Sequence, residues 1–140
     1  MARIVAAVLA AFLFAGTSAH ATTQAEAVAS KMQFVQPVSL RGTLGTEPIQ
    51  VTLRTKEEFE DGIEGDYFVF GSGQRVLLAG EIDGEDLFLE ESANGTDVSG
   101  QWEGKMAGGV ITGEWQSTDG KSSKLFELRI VSPAAKPAKP

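Results

Sequence analysis

Short segments in which apolar and polar residues alternate run through the middle of the chain. In the clearest of them, Trp102 and Met106 share one face of an extended strand, while Glu103 and Lys105 share the other. Turn-forming glycine, asparagine and aspartate residues separate the segments. The pattern predicts the strands Val38–Leu44, Pro48–Arg54, Asp66–Phe70, Gln74–Ile82, Asp86–Glu90, Val98–Met106, Gly109–Gln116 and Lys124–Val131. Short links make neighbouring strands antiparallel, so we expect an all-β, up-and-down meander of about eight strands that closes into a small barrel.

Two regions depart from the strand pattern. In Thr22–Val35, the residues Val28, Met32 and Val35 recur at helical spacing, which predicts a short amphipathic helix, with a mobile arm as the alternative. The link Thr55–Gly65 begins with a capping-box pattern and predicts a helical turn over one end of the sheet. The predicted organisation is therefore a helix or arm at 22–37, a barrel domain at 38–131 and a disordered tail of mostly Pro, Ala and Lys at 132–140.

The first 21 residues have the pattern of a secretory signal peptide. Arg3 is followed by the apolar stretch Ile4–Gly16 and by Ala19-His20-Ala21, a small-x-small cleavage site. The apolar stretch is shorter than the roughly 20 residues that span a bilayer as a helix. The alanine-rich stretch is typical of bacterial export. We therefore expect a periplasmic or secreted protein with no stable membrane span after processing.

Composition removes several kinds of chemistry. The chain has no cysteine, and its one histidine, His20, lies in the predicted signal peptide. The processed protein would therefore lack the imidazole and thiol groups of common nucleophiles and zinc sites, so no cofactor and no metal site is predicted. The formal net charge of −7 argues against nucleic acid as a partner. It favours a basic partner, although acidity also serves solubility.

Three predicted strands contain segments that are apolar on both faces, namely Tyr67-Phe68-Val69-Phe70, Val76-Leu77-Leu78-Ala79 and Leu87-Phe88-Leu89. In Tyr67-Phe68-Val69-Phe70, one pair of side chains must point away from the barrel interior. The exposed pair would need a cover, which could be the N-terminal helix, a second subunit or a partner. We expect Val28, Met32 and Val35 to dock there and make a monomer; otherwise the strip predicts a dimer or partner interface.

A repeated Gly-x-Trp pattern is the nearest feature to a signature. It occurs at Gly100-Gln101-Trp102-Glu103-Gly104 and at Gly113-Glu114-Trp115. Inward glycines beside an indole could form an aromatic pocket in the barrel mouth, or large and small residues could simply pack a core. The number of inward apolar residues favours the packed core.

On these strands and tryptophans the chain resembles the avidin-like and other calycin-type meander barrels. Within the first strand, the residues Leu40–Leu44 include no tryptophan and no polar cluster, so the resemblance does not imply biotin binding. The chain is also similar to bacterial lysozyme inhibitors in size and predicted export, but their disulfide motifs are absent. The resemblance implies a barrel that binds a small molecule or a protein.

These observations favour a binding function over catalysis. We expect an exported, non-enzymatic binding module of the bacterial cell envelope that binds a protein or small ligand through the barrel loops or mouth. The alternatives are a periplasmic inhibitor of a basic cell-wall hydrolase such as lysozyme, or a carboxylate-dependent glycan hydrolase. No polar residue is expected on an inward strand position, and no catalytic residue is assigned. The candidate ligand or partner residues are Tyr67, Phe68, Phe70, Trp102 and Trp115.

Overall fold

Eight antiparallel strands form a closed barrel. The computed structural model describes residues 34–58 and 62–131. Each strand pairs with the next, and β8 pairs with β1, for example at Leu40 opposite Ile130, so the predicted meander barrel is confirmed. The strands are β1 Val38–Leu44, β2 Glu47–Thr55, β3 Gly62–Val69, β4 Val76–Asp83, β5 Asp86–Ser92, β6 Gly100–Ala107, β7 Val110–Ser117 and β8 Ser123–Ile130. The predicted signal peptide at 1–21 and the predicted tail at 132–140 lie outside the described residues.

The main departures from the predicted strands occur at loops. β3 begins at Gly62, four residues before its predicted start, and the Lys56 N–H donates to the Gly62 carbonyl at 2.8 Å. Residues 56–58 are not helical, and 59–61 lie outside the described residues. The predicted helical turn is therefore absent from 56–58. Asn94-Gly95 is a residue pair that favours a two-residue hairpin turn, but it lies within a longer loop, 93–99, that joins β5 to β6.

Alternate side chains of the strands fill the barrel interior. Trp102 is 1% exposed and lies at the centre of an aromatic group with Tyr67 and Phe126; its ring centroid is 5.2 Å from that of Tyr67 and 4.9 Å from that of Phe126. The remaining buried apolar side chains are Phe34, Leu40, Leu44, Ile49, Val51, Leu53, Ile63, Leu78, Ile82, Leu87, Leu89, Met106, Ile111 and Leu128. The core is therefore made of packed side chains, as the inward apolar pattern predicts.

Phe34, which lies before β1, also belongs to this core. Phe34 is fully buried, and its carbonyl accepts a hydrogen bond from the Thr55 N–H at 2.8 Å. Its neighbour Val35 is 61% exposed and lies in a bend, so the expectation that Val35 packs on the sheet was wrong. The rest of the predicted N-terminal helix, including Val28 and Met32, lies outside the described residues. Among the described residues, no helix is long and apolar enough to cross a membrane.

Glycines allow close contacts between neighbouring strands at two positions in the barrel wall. A Cβ atom on Gly42 would overlap the carbonyl oxygen of Glu127, and one on Gly113 would overlap the carbonyl oxygen of Glu103. Backbone atoms cannot move aside as a flexible side chain can, so these positions require glycine. Glycine bends of this kind give a small barrel its curvature.

Candidate functional site

The five aromatic candidates do not form a single site. Tyr67 and Trp102 point into the core, and Trp115 is partly buried against it. Phe68 and Phe70 lie on the outside of β3 and of the loop after it, with ring centroids 5.5 Å apart and Phe70 45% exposed. The prediction that Phe68 and Phe70 lie on the face opposite to Tyr67 is confirmed.

A carboxylate lies inside the barrel near the end where β5 terminates. Glu91 is 5% exposed, and its Oε2 accepts hydrogen bonds from the Tyr67 hydroxyl and from the Trp102 Nε1–H, each at 2.9 Å. The Ser99 hydroxyl donates to Oε1 at 3.2 Å. The expectation of no polar residue at an inward position was therefore wrong. The inward alternation of Leu87 and Leu89 continues to Glu91, but the predicted strand ended one residue too early to include it.

Burial and the nearby carboxylate change the acidity of the tyrosine. Loss of solvation raises the pKa of Tyr67 well above its ordinary value, and the negative charge of Glu91 raises it further. The indole of Trp115 lies close to the Glu91 carboxylate. A Cβ atom placed on Gly100 would overlap Trp115 Nε1 and would lie 3.0 Å from Glu91 Oε1. The Trp115 Nε1–H is buried and has no hydrogen-bond partner among the described residues. The Glu91 network is thus surrounded by packed aromatic rings.

A groove of about 950 Å³ lies on the outer surface of the barrel. Outward side chains of β4 to β8 and the end of β1 form its walls, and two inward glycines expose backbone at its floor. The residues that line it are Thr43, Gly45, Glu81, Asp83, Asp86, Leu87, Phe88, Glu103, Gly104, Lys105, Thr112, Gly113, Glu114, Leu125, Phe126 and Glu127. Among them six are acidic and one is basic, so the groove carries a strong negative charge.

The strand register orders these side chains into two rows across the sheet. In the first row Glu81 lies opposite Phe88, Phe88 opposite Glu103, Glu103 opposite Glu114, and Glu114 opposite Leu125. The second row lies two residues further along each strand, on the same outer face, and consists of Asp83, Asp86, Lys105, Thr112, Glu127 and Thr43. Neighbouring side chains within a row are about 5 Å apart at Cβ.

The two rows differ in how their charges are compensated. In the second row Lys105 Nζ lies 2.9 Å from Asp86 Oδ1, and Glu127 Oε1 lies 2.9 Å from an Arg129 guanidinium nitrogen. In the first row Glu103 and Glu114 lie side by side on adjacent strands, and no described residue forms a salt bridge with either. Like charges directly opposite each other destabilise a sheet. The first row is therefore the part of the groove that lacks a cation.

Apolar side chains stand between and beside these carboxylates. Phe88 lies between Glu81 and Glu103 in the first row, and Leu125, which is 73% exposed, lies beyond Glu114. An exposed leucine next to uncompensated carboxylates gives a surface of mixed character. Such a surface fits a partner that presents both positive charge and apolar side chains.

Sequence reasoning partly anticipated this groove. The outward positions of Glu103 and Glu114 follow from alternation, but their neighbours across the sheet depend on the register. Asp83 and Asp86 flank the turn between β4 and β5, and the barrel places both residues at the end of the second row. Within residues 34–58 and 62–131, no group of three or more acidic side chains is close enough to hold a metal ion.

Comparisons with known proteins do not assign the barrel to a family. No protein-family model matches the chain, and no match was found among curated proteins or solved structures. The resemblance to avidin-like barrels and lysozyme inhibitors therefore stays a prediction. The functional interpretation rests on the geometry of the groove and of the packed interior.

Proposed function

We propose that this protein is an exported, non-enzymatic binding module of the bacterial cell envelope that holds a basic partner protein in its acidic outer groove. The observation that carries the proposal is the pair Glu103 and Glu114, which lie opposite each other in a groove of about 950 Å³ and form no salt bridge with any described residue. A lysine or arginine of a partner would compensate this pair. Export is supported by the predicted signal peptide at 1–21.

The packed interior favours the outer groove over the barrel mouth as the binding surface. Trp102, Tyr67 and Phe126 occupy the interior where a small ligand would enter. The carboxylate of Glu91 already accepts three hydrogen bonds from protein groups. A ligand in the interior would have to displace this packing, whereas a partner on the outer wall displaces only water.

Charge and shape together specify the partner. A groove with six carboxylates and one lysine attracts a basic surface and increases its rate of encounter. Leu125, which is 73% exposed, and the half-buried Phe88 offer apolar contacts that a partner would cover further. A basic cell-wall hydrolase such as lysozyme has the required charge, so inhibition of such an enzyme is the most specific form of the proposal.

The test compares a groove variant with a matched control. The double variant Glu103→Gln and Glu114→Gln removes the uncompensated charges, while Glu58→Gln and Glu90→Gln removes two exposed carboxylates that do not line the groove. Each is titrated with purified lysozyme by calorimetry, and envelope extract is passed over each. We expect the groove variant to bind about tenfold more weakly or worse, which corresponds to about 1.4 kcal/mol, and the control to bind as the wild type does.

Three results would contradict the proposal. Equal weakening in both double variants would show that only the total charge matters. If the wild type retained no basic protein from the extract, the proposed basic partner would be contradicted. Cleavage of cell-wall glycan by the wild type, lost on Glu103→Gln, would favour the carboxylate-dependent hydrolase instead.

A further inference from the structure

We propose that the C-terminal segment Ser132–Pro140 docks in the acidic groove and competes there with the basic partner. The inference rests on the proposed function and deepens it by naming a regulator within the same chain. The segment lies outside the described residues, so its docking is argued from its sequence, its point of attachment and its reach.

The charge of the segment is complementary to that of the groove. Ser132–Pro140 contains Lys136 and Lys139 and no Asp or Glu, so its side chains carry only positive charge. The groove presents Glu103 and Glu114 without a described cation between them. Two lysines three residues apart offer positive charge to the same row that a partner would occupy.

The segment is attached to a strand that contributes residues to the groove. β8 supplies Leu125 and Glu127 to the groove and ends one residue before Val131. The Val131 N–H donates to the Ser39 carbonyl at 2.8 Å, which fixes the chain where the tail begins. The segment therefore starts from a rigid position on an element of the site.

The length of the segment is sufficient. In an extended, proline-rich conformation, Lys136 would lie up to about 16 Å from Val131, and Lys139 up to about 25 Å. Glu114 lies on the strand next to Leu125. The path from Val131 to Glu114 covers roughly 20 Å along β8 and about 5 Å across the sheet. With the segment turned back along β8, the fully extended length to Lys139 just reaches Glu114, and Lys136 reaches Glu127, which lies roughly 13 Å from Val131.

The composition of the segment suits weak, reversible docking. A proline-rich chain is already extended and needs no core of its own, so it loses less entropy on binding than a flexible chain does. Attachment to β8 gives the tail a local concentration in the millimolar range. Occupation of the groove by the tail would therefore lower the affinity for a partner without abolishing it.

Cross-linking of the full chain tests the docking directly. A carbodiimide joins a lysine amine to a carboxyl group that it touches, with loss of water, and peptide mass spectrometry identifies the pair. At low protein concentration we expect intramolecular links from Lys136 or Lys139 to Glu103, Glu114 or Glu127. Lys121, an exposed lysine in the β7–β8 loop that does not line the groove, serves as the control amine. Tail links spread equally over Glu57, Glu58 and Glu90 would overturn the proposal.

Partner binding provides a second, separate measurement. Truncation after Val131, or the double variant Lys136→Ala and Lys139→Ala, should raise the affinity for lysozyme, or for the partner isolated from extract, about two- to tenfold. Lys121→Ala should leave that affinity unchanged. Groove-dependent binding that is equally tight with and without the tail would overturn competition. Tail-to-groove links in a protein that binds no basic partner would support the docking and refute only the proposed function.

Discussion

Trp102 donates its indole N–H to Glu91 at 2.9 Å inside the barrel, on the same carboxylate oxygen that accepts the Tyr67 hydroxyl. A carboxylate is thereby held in a core of aromatic rings with three protein donors around it. Buried charge is costly unless hydrogen bonds replace the lost water. The Glu91 network meets this requirement, and it links β3, β5, β6 and the loop before β6 at one end of the barrel.

Replacement of Glu91 should destabilise the barrel strongly. In Glu91→Leu the Tyr67 hydroxyl and the Trp102 N–H lose their acceptor while they remain buried, which should lower the free energy of unfolding by about 2–5 kcal/mol. Glu91→Gln retains one acceptor oxygen and should cost less. Urea unfolding followed by tryptophan fluorescence measures the difference, and Glu90→Gln, an exposed change on the same strand, should stay within about 0.5 kcal/mol of the wild type. An unchanged midpoint in Glu91→Leu would mean that the network contributes nothing to stability.

Tyr67 should make the protein sensitive to alkali. Its pKa is raised in the folded state, so the unfolded chain releases the phenol proton first, at about pH 10. Stability from this group is complete below that pH and falls as the pH rises further, by up to about 1.4 kcal/mol per pH unit. Tyr67 is the only tyrosine, so tyrosinate absorbance reports it alone.

The control for this effect is Tyr67→Phe, which removes the titrating group. Its stability curve should be flatter than that of the wild type above pH 10, since the two proteins otherwise have the same ionisable side chains. A tyrosinate signal that develops near pH 10 while the fold remains intact would show that Tyr67 is accessible to solvent and that its pKa is ordinary.

The two tryptophans should differ in their contribution to stability. Trp102→Ala removes a fully buried ring and a hydrogen bond, and should cost about 3–5 kcal/mol. Trp115 is only partly buried, and its indole N–H loses no hydrogen bond to the part of the chain that the structure describes, so Trp115→Ala should cost less than Trp102→Ala. Thermal unfolding of both variants gives the comparison. Wild-type unfolding temperatures with loss of partner binding would place the indoles on a functional surface instead.

Phe34 and Val35 form a matched pair at the start of the barrel domain. Phe34→Ala empties a fully buried position and should lower the free energy of unfolding by about 3–5 kcal/mol. Val35→Ala changes an exposed residue and should stay within about 0.5 kcal/mol of the wild type. Chemical denaturation of the two variants measures both values. Equal effects of the two substitutions would mean that Phe34 does not pack into the core.

Strand positions were largely predictable because they depend on local alternation. The residues of β6 and β8 alternate between the core and water as their sequence indicates, and Trp102 and Phe126 are inward as expected. Loops were less predictable, since Asn94-Gly95 fits a tight turn locally but lies within the longer loop 93–99. The choice between them depends on contacts that the loop makes with the rest of the barrel.

Alternation and turn chemistry, which act between residues close in sequence, determined the strands, their antiparallel order and the face on which most side chains lie. The tertiary structure alone decided which of those side chains meet. Closure of β8 onto β1 and the register between strands bring Glu91 to Tyr67 and Trp102, and place Glu103 opposite Glu114 in one groove. Such neighbours are set by packing of the whole core and by loop lengths, because a shift of one residue in register would move every side chain to the other face.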